Sequence, residues 1–154
     1  MTTPDSRLPV APSPAEAVAL APLTGARAAM LAQVEAWAAI NSGSRNLAGL
    51  DAMAAVLADA FKPLDGVVTR VPAAAVESVD AAGRVIALAH GDNLHIVKRP
   101  DAPLRVLLTG HMDTVFAVDH PFQATRWIDA DTLNGPGVAD MKGCLLYTSD
   151  AADE

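Results

Sequence analysis

A histidine and an aspartate stand two residues apart in Thr109-Gly-His-Met-Asp113. In an extended backbone, positions i and i+2 point to the same side, so His111 and Asp113 can work together at the end of a strand. An imidazole nitrogen is a good zinc ligand. A carboxylate beside it can fix the orientation and tautomer of the ring. The apolar run Val106-Leu-Leu and Gly110 place the pair at the carboxyl end of an expected strand, where open α/β sheets carry their ligand sites. By itself, His-x-Asp also arises by chance in surface loops. A second carboxylate, Asp140, lies in Leu133-Asn-Gly-Pro-Gly-Val-Ala-Asp-Met-Lys-Gly143. Its glycines let the backbone pass close to a site. Asp140 falls at an expected helix start, where a carboxylate is equally an ordinary N-cap.

Several elements must position these residues. Residues 1–22 are rich in Pro and Ala without periodicity and predict a flexible or loosely docked arm. Thr24 is expected to cap a helix running to about Ile40, with Met30, Leu31, Val34, Trp37, Ala38 and Ile40 as its apolar stripe. After the break at 41–46, a second helix is expected over 47–61, with Leu47, Leu50, Met53, Leu57 and Phe61 on one face. Pro63 and Gly66 end it. The texture then turns to strands at 67–71, 85–90, 94–98 and 105–109. Gly91-Asp-Asn93 reads as a hairpin turn between two of them. The run 106–109 has the pattern of a strand buried on both faces. Residues 126–128 and 132–133 suggest a small outer hairpin. The fold class expected is α/β: two leading helices, then a mixed sheet, left incomplete.

Composition narrows the function. The chain has 154 residues, 51% of them hydrophobic and 19% charged, as in an ordinary folded domain. Its net charge of −7, without a basic stripe, argues against nucleic acid as a partner. No apolar run is long enough to cross a bilayer. Early Asp5 and scattered prolines spoil a secretory signal. A single Cys fits a reducing compartment, so a cytoplasmic location is expected. That cysteine, Cys144, and the lone Tyr147 both fall in the last eleven residues, CLLYTSDAADE. This tail resembles the translation of a transposase mosaic-end adapter and its adjoining primer. It is expected to be foreign, with the natural reading frame interrupted after Gly143.

Taken together, Gly-His-Met-Asp-Thr-Val and Gly-Pro-Gly-Val-Ala-Asp-Met-Lys-Gly closely resemble the two N-terminal motifs of the M20 metallopeptidase family, which includes glutamate carboxypeptidases, acetylornithine deacetylase-like enzymes, aminoacylases and dipeptidases. The resemblance covers residues 105–143 and extends loosely over the two leading helices, about the first third of a family chain. It implies the N-terminal part of a di-zinc, aminopeptidase-like catalytic domain, spanning residues 23–143 here, followed by the foreign tail at 144–154. His111 matches the histidine that ligates one of two zinc ions, and Asp140 the aspartate that bridges both. Asp113 matches the catalytic aspartate that orients the histidine. Cobalt or manganese are conceivable substitutes for zinc.

The implied reaction is cleavage of an amide in a small peptide or N-acyl amino acid by a zinc-bridged hydroxide. The family's dimerisation domain would lie downstream, so a homodimeric parent stays open. The acidic pair that follows the second motif in the family has no counterpart here, nor do the later ligands. Asp150, Asp153 and Glu154 belong to the tail and take no role. The chain alone is therefore expected to be inactive and to bind zinc weakly. Two rivals remain: a non-catalytic or regulatory remnant of the fold, and a nucleotide-binding module. The second is weak, because Gly135-Pro-Gly137 lacks the dinucleotide spacing of glycines. His90, His95 and His120 fall in no motif and read as plain histidines. Lys142 cannot ligate zinc, since an ammonium has no lone pair.

Overall fold

Helix α1 (Pro14–Ala38) opens on a capping box. Ser13 Oγ accepts from the Glu16 backbone N–H at 3.3 Å, and the Ser13 N–H donates to Glu16 Oε2 at 2.7 Å. Pro14 occupies the first helical position, where its missing N–H costs nothing. The helix therefore starts well before Thr24, which lies inside it, and residues expected to form an arm are helical from Pro14 onward. The Ser-Pro-Ala-Glu signal outweighed the density of prolines. Pro22 sits beside a 49° bend between Pro14–Leu23 and Gly25–Ala38, as expected where a ring displaces a helical hydrogen bond.

The computed structural model describes residues 11–145, so most of the expected tail, and the first part of the expected arm, lie outside the described residues. The chain divides into two units, Met1–Ala32 and Gln33–Glu154. In the second unit, the end of α1 buries Val34, Trp37 and Ala38 at helical spacing. Helix α2 (Leu47–Ala60) buries Leu50, Met53, Ala54 and Leu57 on one face, as its periodicity predicts, while Leu47 is exposed. Asn46 caps it by accepting from the Gly49 N–H at 3.2 Å. A 3-10 turn (Lys62–Leu64) follows, begun with Pro63, and buries Leu64. Phe61, Met141 and Leu145 complete the buried apolar set among the described residues.

The strands pair locally. β1 (Val67–Val71) and β4 (Asn93–Val97) form one antiparallel pair. β2 (Val76–Val79) and β3 (Val85–Leu88) form another, and β5 (Arg126–Trp127) with β6 (Leu133–Asn134) the expected outer hairpin. The expected hairpin turn at 91–93 does not join β3 to β4. β3 turns back instead onto β2, a strand the sequence reading lacked, through a tight turn at Asp80. Asp80 Oδ1 accepts from the N–H groups of Ala82 and Arg84 at 2.9 and 3.0 Å, and Gly83 takes a φ of 78°. The outcome is helices with small antiparallel sheets, each of two strands, rather than one mixed sheet.

The expected buried strand at 105–109 is absent. Leu104, Val106 and Leu107 are 79%, 76% and 85% exposed. The segment is extended but has no strand beside it among the described residues, so no ladder bonds form and water must satisfy its backbone. The residue types suit a central strand, but a strand is defined by its neighbours. The segment borders a broad groove of about 1580 Å³, walled on its other side by Leu50, Leu57 and Phe61. Among the described residues, no single helix is long and apolar enough to cross a membrane.

Two-stranded sheets are only marginally stable, and an exposed apolar edge invites association. Heating followed by circular dichroism is expected to give a broad, weakly cooperative transition. Leu107→Lys is expected to raise solubility without changing the spectrum. A sharp transition, or no gain in solubility, would contradict this picture of residues 104–108.

Candidate metal centre

Three chain segments build the site. The first is the loop after α1. Its Ser42 carbonyl accepts from the Thr114 N–H, and its Ser44 N–H donates to the Thr114 carbonyl, both at 2.9 Å. These bonds make a parallel bridge between Gly43 and Thr114. A Cβ at residue 43 would come within 2.3 Å of the Phe116 carbonyl oxygen, so only glycine allows this approach. Asn41 braces the loop by accepting from the Gly43 N–H at 3.1 Å and donating to Gln123 Oε1 at 2.7 Å.

The second segment, 110–116, carries His111 and Asp113. The third, 135–142, brings Asp140. Its turn needs Gly137, with φ at 77°, and closes through the Lys142 N–H donating to the Gly137 carbonyl at 2.9 Å. Lys142 is fully buried, and its Nζ donates to the Ile40 carbonyl at 3.3 Å. That bond ties the third segment to the end of the first. Burial pulls the Lys142 pKa below the usual lysine range. Gly135 and Gly137 are themselves buried against Thr125, Thr114 and Lys142.

All three sequence-predicted residues come together. His111 Nδ1 lies 3.0 Å from the Asp113 carbonyl and 3.1 Å from Asp113 Oδ1. The two side chains meet, although this backbone is not in a strand. On the opposite edge of the ring, Nε2 lies 3.0 Å from Asp140 Oδ1. Asp140 is an exposed carboxylate aimed at the imidazole, in the turn just before a helical stretch at 142–145. A shallow hollow of about 100 Å³ opens beside these groups, with Val115 and Phe116 in its wall.

Acceptors face both ring nitrogens. Burial lowers the His111 pKa, but the hydrogen bonds and negative charges of Asp140 and Asp113 outweigh it and hold the pKa above the ordinary imidazole value. For Asp113, burial pushes upward, while hydrogen bonds from Ser44 and His111 prevail and hold the carboxyl below its usual range. In the metal-free protein the ring is best satisfied as an imidazolium donating to both sides. A cation at Nε2 would replace that proton. Two ligand atoms on a tetrahedral zinc stand about 3.3 Å apart, and the Nε2–Oδ1 separation of 3.0 Å is close to that.

The donor chemistry therefore fits a divalent metal, but only two donors converge. Asp113 occupies the far edge of the ring. Among the described residues no group of three or more His, Cys, Asp or Glu side chains is arranged to hold a metal ion. His90 and His95 are exposed and make no contact with His111 or Asp140 among the hydrogen bonds of the described residues, and His120 accepts from the Phe122 N–H at 3.0 Å. Two contributors had no assigned role in the sequence reading: Ser44, whose Oγ lies 2.5 Å from Asp113 Oδ2, and Lys142 as a strut. Only the small-residue loop Ser42-Gly-Ser44 hinted at the first. No family model matches the chain, and no curated protein matches it.

The raised pKa gives a signed expectation. The imidazolium pairing contributes stability fully below the unfolded-state value, and that contribution is lost as pH rises through the higher folded-state value. In the metal-free chain, proton NMR of the His111 ring should show a midpoint above about 6.5. Asp113→Asn and Asp140→Asn should each lower it. A wild-type midpoint at or below the unperturbed value would contradict the two-sided pairing.

Proposed function

We propose that the chain carries part of a di-zinc amidohydrolase centre of the M20 type, with His111 and Asp140 as metal ligands and Asp113 as the group that orients His111. The observation that supports this most is the pairing of His111 Nε2 with Asp140 Oδ1 at 3.0 Å, while Nδ1 is held from the other side by Asp113. Residues 29 apart in sequence meet at Nε2, and both line the hollow.

The chain's own residues then divide the work. Asp113, held by its neighbours, keeps the imidazole plane fixed and its Nδ1 proton engaged, which raises the basicity of Nε2. Asp140 brings a carboxylate with two oxygens, enough to serve two cations at once. Val115 and Phe116 give the hollow an apolar wall beside the charged groups. When bound, the metal supplies Lewis acidity to polarise an amide carbonyl. The substrate class is a small peptide or an N-acyl amino acid, in a reducing, cytoplasmic setting consistent with one cysteine in 154 residues.

Two ligands do not complete a two-metal centre. In isothermal titration the 154-residue chain should bind zinc saturably but with Kd above about 1 µM. His111→Ala and Asp140→Ala should each abolish that binding, and N-acyl amino acids should not turn over. Zinc binding that survives both substitutions would sink the ligand assignment. Submicromolar binding with turnover would show instead that the centre is complete.

A further inference from the structure

The Ser44 hydroxyl has a single proton and two acceptors in reach: Asp113 Oδ2 at 2.5 Å and the Thr114 carbonyl at 3.1 Å. A charged acceptor at the shorter distance takes the proton, as in charge-assisted O–H···O bonds of about 2.5–2.7 Å. Asp113 is thereby gripped at both oxygens, Oδ2 by Ser44 and Oδ1 by His111 Nδ1. A carboxylate held at one oxygen can rotate, and one held at both cannot. The grip spans 69 residues of sequence and links the loop after α1 to the His-x-Asp segment.

Its geometry is built in by the backbone. The Ser44 N–H donates to the Thr114 carbonyl, and Gly43 packs where no side chain fits. These contacts set the position of Cα44, from which the hydroxyl reaches Asp113. The chain Ser44–Asp113–His111–Asp140 runs continuously from a half-buried interior to the exposed carboxylate.

We propose that Ser44 is a positioning residue that fixes the Asp113 carboxylate and, through it, the orientation of the His111 ring that turns Nε2 toward Asp140. Its consequence for metal binding rests on the ligand roles of His111 and Asp140, while its effect on the ring does not. Carboxylate partners of metal-binding histidines typically contribute 10–100-fold in metal affinity. Ser44 acts one bond further out, so the low end is expected.

Two measurements on the full 154-residue chain separate the two ideas. The first is metal-free: the 15N shift of His111 Nδ1, detected through the carbon-bound ring protons. Ser44→Ala should move it toward its value in Asp113→Asn, and Ser44→Thr, which keeps the hydroxyl, should restore the wild-type value. Adding Ser44→Ala to Asp113→Asn should change nothing more. The second is titration with Co²⁺, followed by its visible absorption. Ser44→Ala should weaken binding about tenfold, with no further loss in the Asp113→Asn background. A wild-type Nδ1 shift in Ser44→Ala would overturn the proposal. So would an effect of equal size in the Asp113→Asn background, which marks a general structural role. If the wild-type chain takes up no Co²⁺ while the Nδ1 shifts behave as expected, the metal assignment falls and the positioning role of Ser44 stands.

Discussion

Two backbone hydrogen bonds and one glycine hold the site to the helical core. The Ser42 carbonyl and the Ser44 N–H clasp Thr114 from either side of Gly43. One half of that clasp joins the buried end of α1 to the Asn46 cap of α2. The other half belongs to the segment that carries His111, Asp113 and the loop to Asp140. Without the clasp, segment 104–116 would have little to anchor it, because its apolar run is exposed and pairs with no strand among the described residues. Lys142 adds a second tie, from the Asp140 turn to the Ile40 carbonyl. A fully buried ammonium carries a desolvation cost, so its placement makes sense only where a bond to that carbonyl fixes the turn.

Legibility in the sequence followed the range of the forces. α2 was readable because its apolar spacing, its Asn46 cap and Pro63 all act within a few residues of one another. The start of α1 was readable too, but its capping box competed with a cluster of prolines, and the prolines misled. β2 was missed because Val76–Val79 is short and its turn lies in the unremarkable run Asp80-Ala-Ala-Gly83. Residues 105–109 failed for a different reason. Val106-Leu-Leu carries the composition of a central strand, yet strand formation depends on neighbours far along a chain, and none stands beside it among the described residues.

The site was more legible than the sheet. His111 and Asp113 share a local spacing, and Asp140 sits in a glycine-framed turn, so residue type and context marked them. Spacing alone did not carry the order of contact around the ring; only the family resemblance implied it. The structure puts Asp113 on Nδ1 and Asp140 on Nε2. Ser44 was hidden because a lone hydroxyl in a turn has many ordinary uses. Only its approach to Asp113 across the fold gives it a role.

The central claim is that one imidazole and one carboxylate of this chain converge on a metal. X-ray absorption at the zinc edge of the zinc-loaded chain tests it most directly. One imidazole nitrogen at about 2.0–2.1 Å is expected, with the remaining scatterers oxygen. Two or more imidazoles, or a sulfur at about 2.3 Å from Cys144, would contradict it.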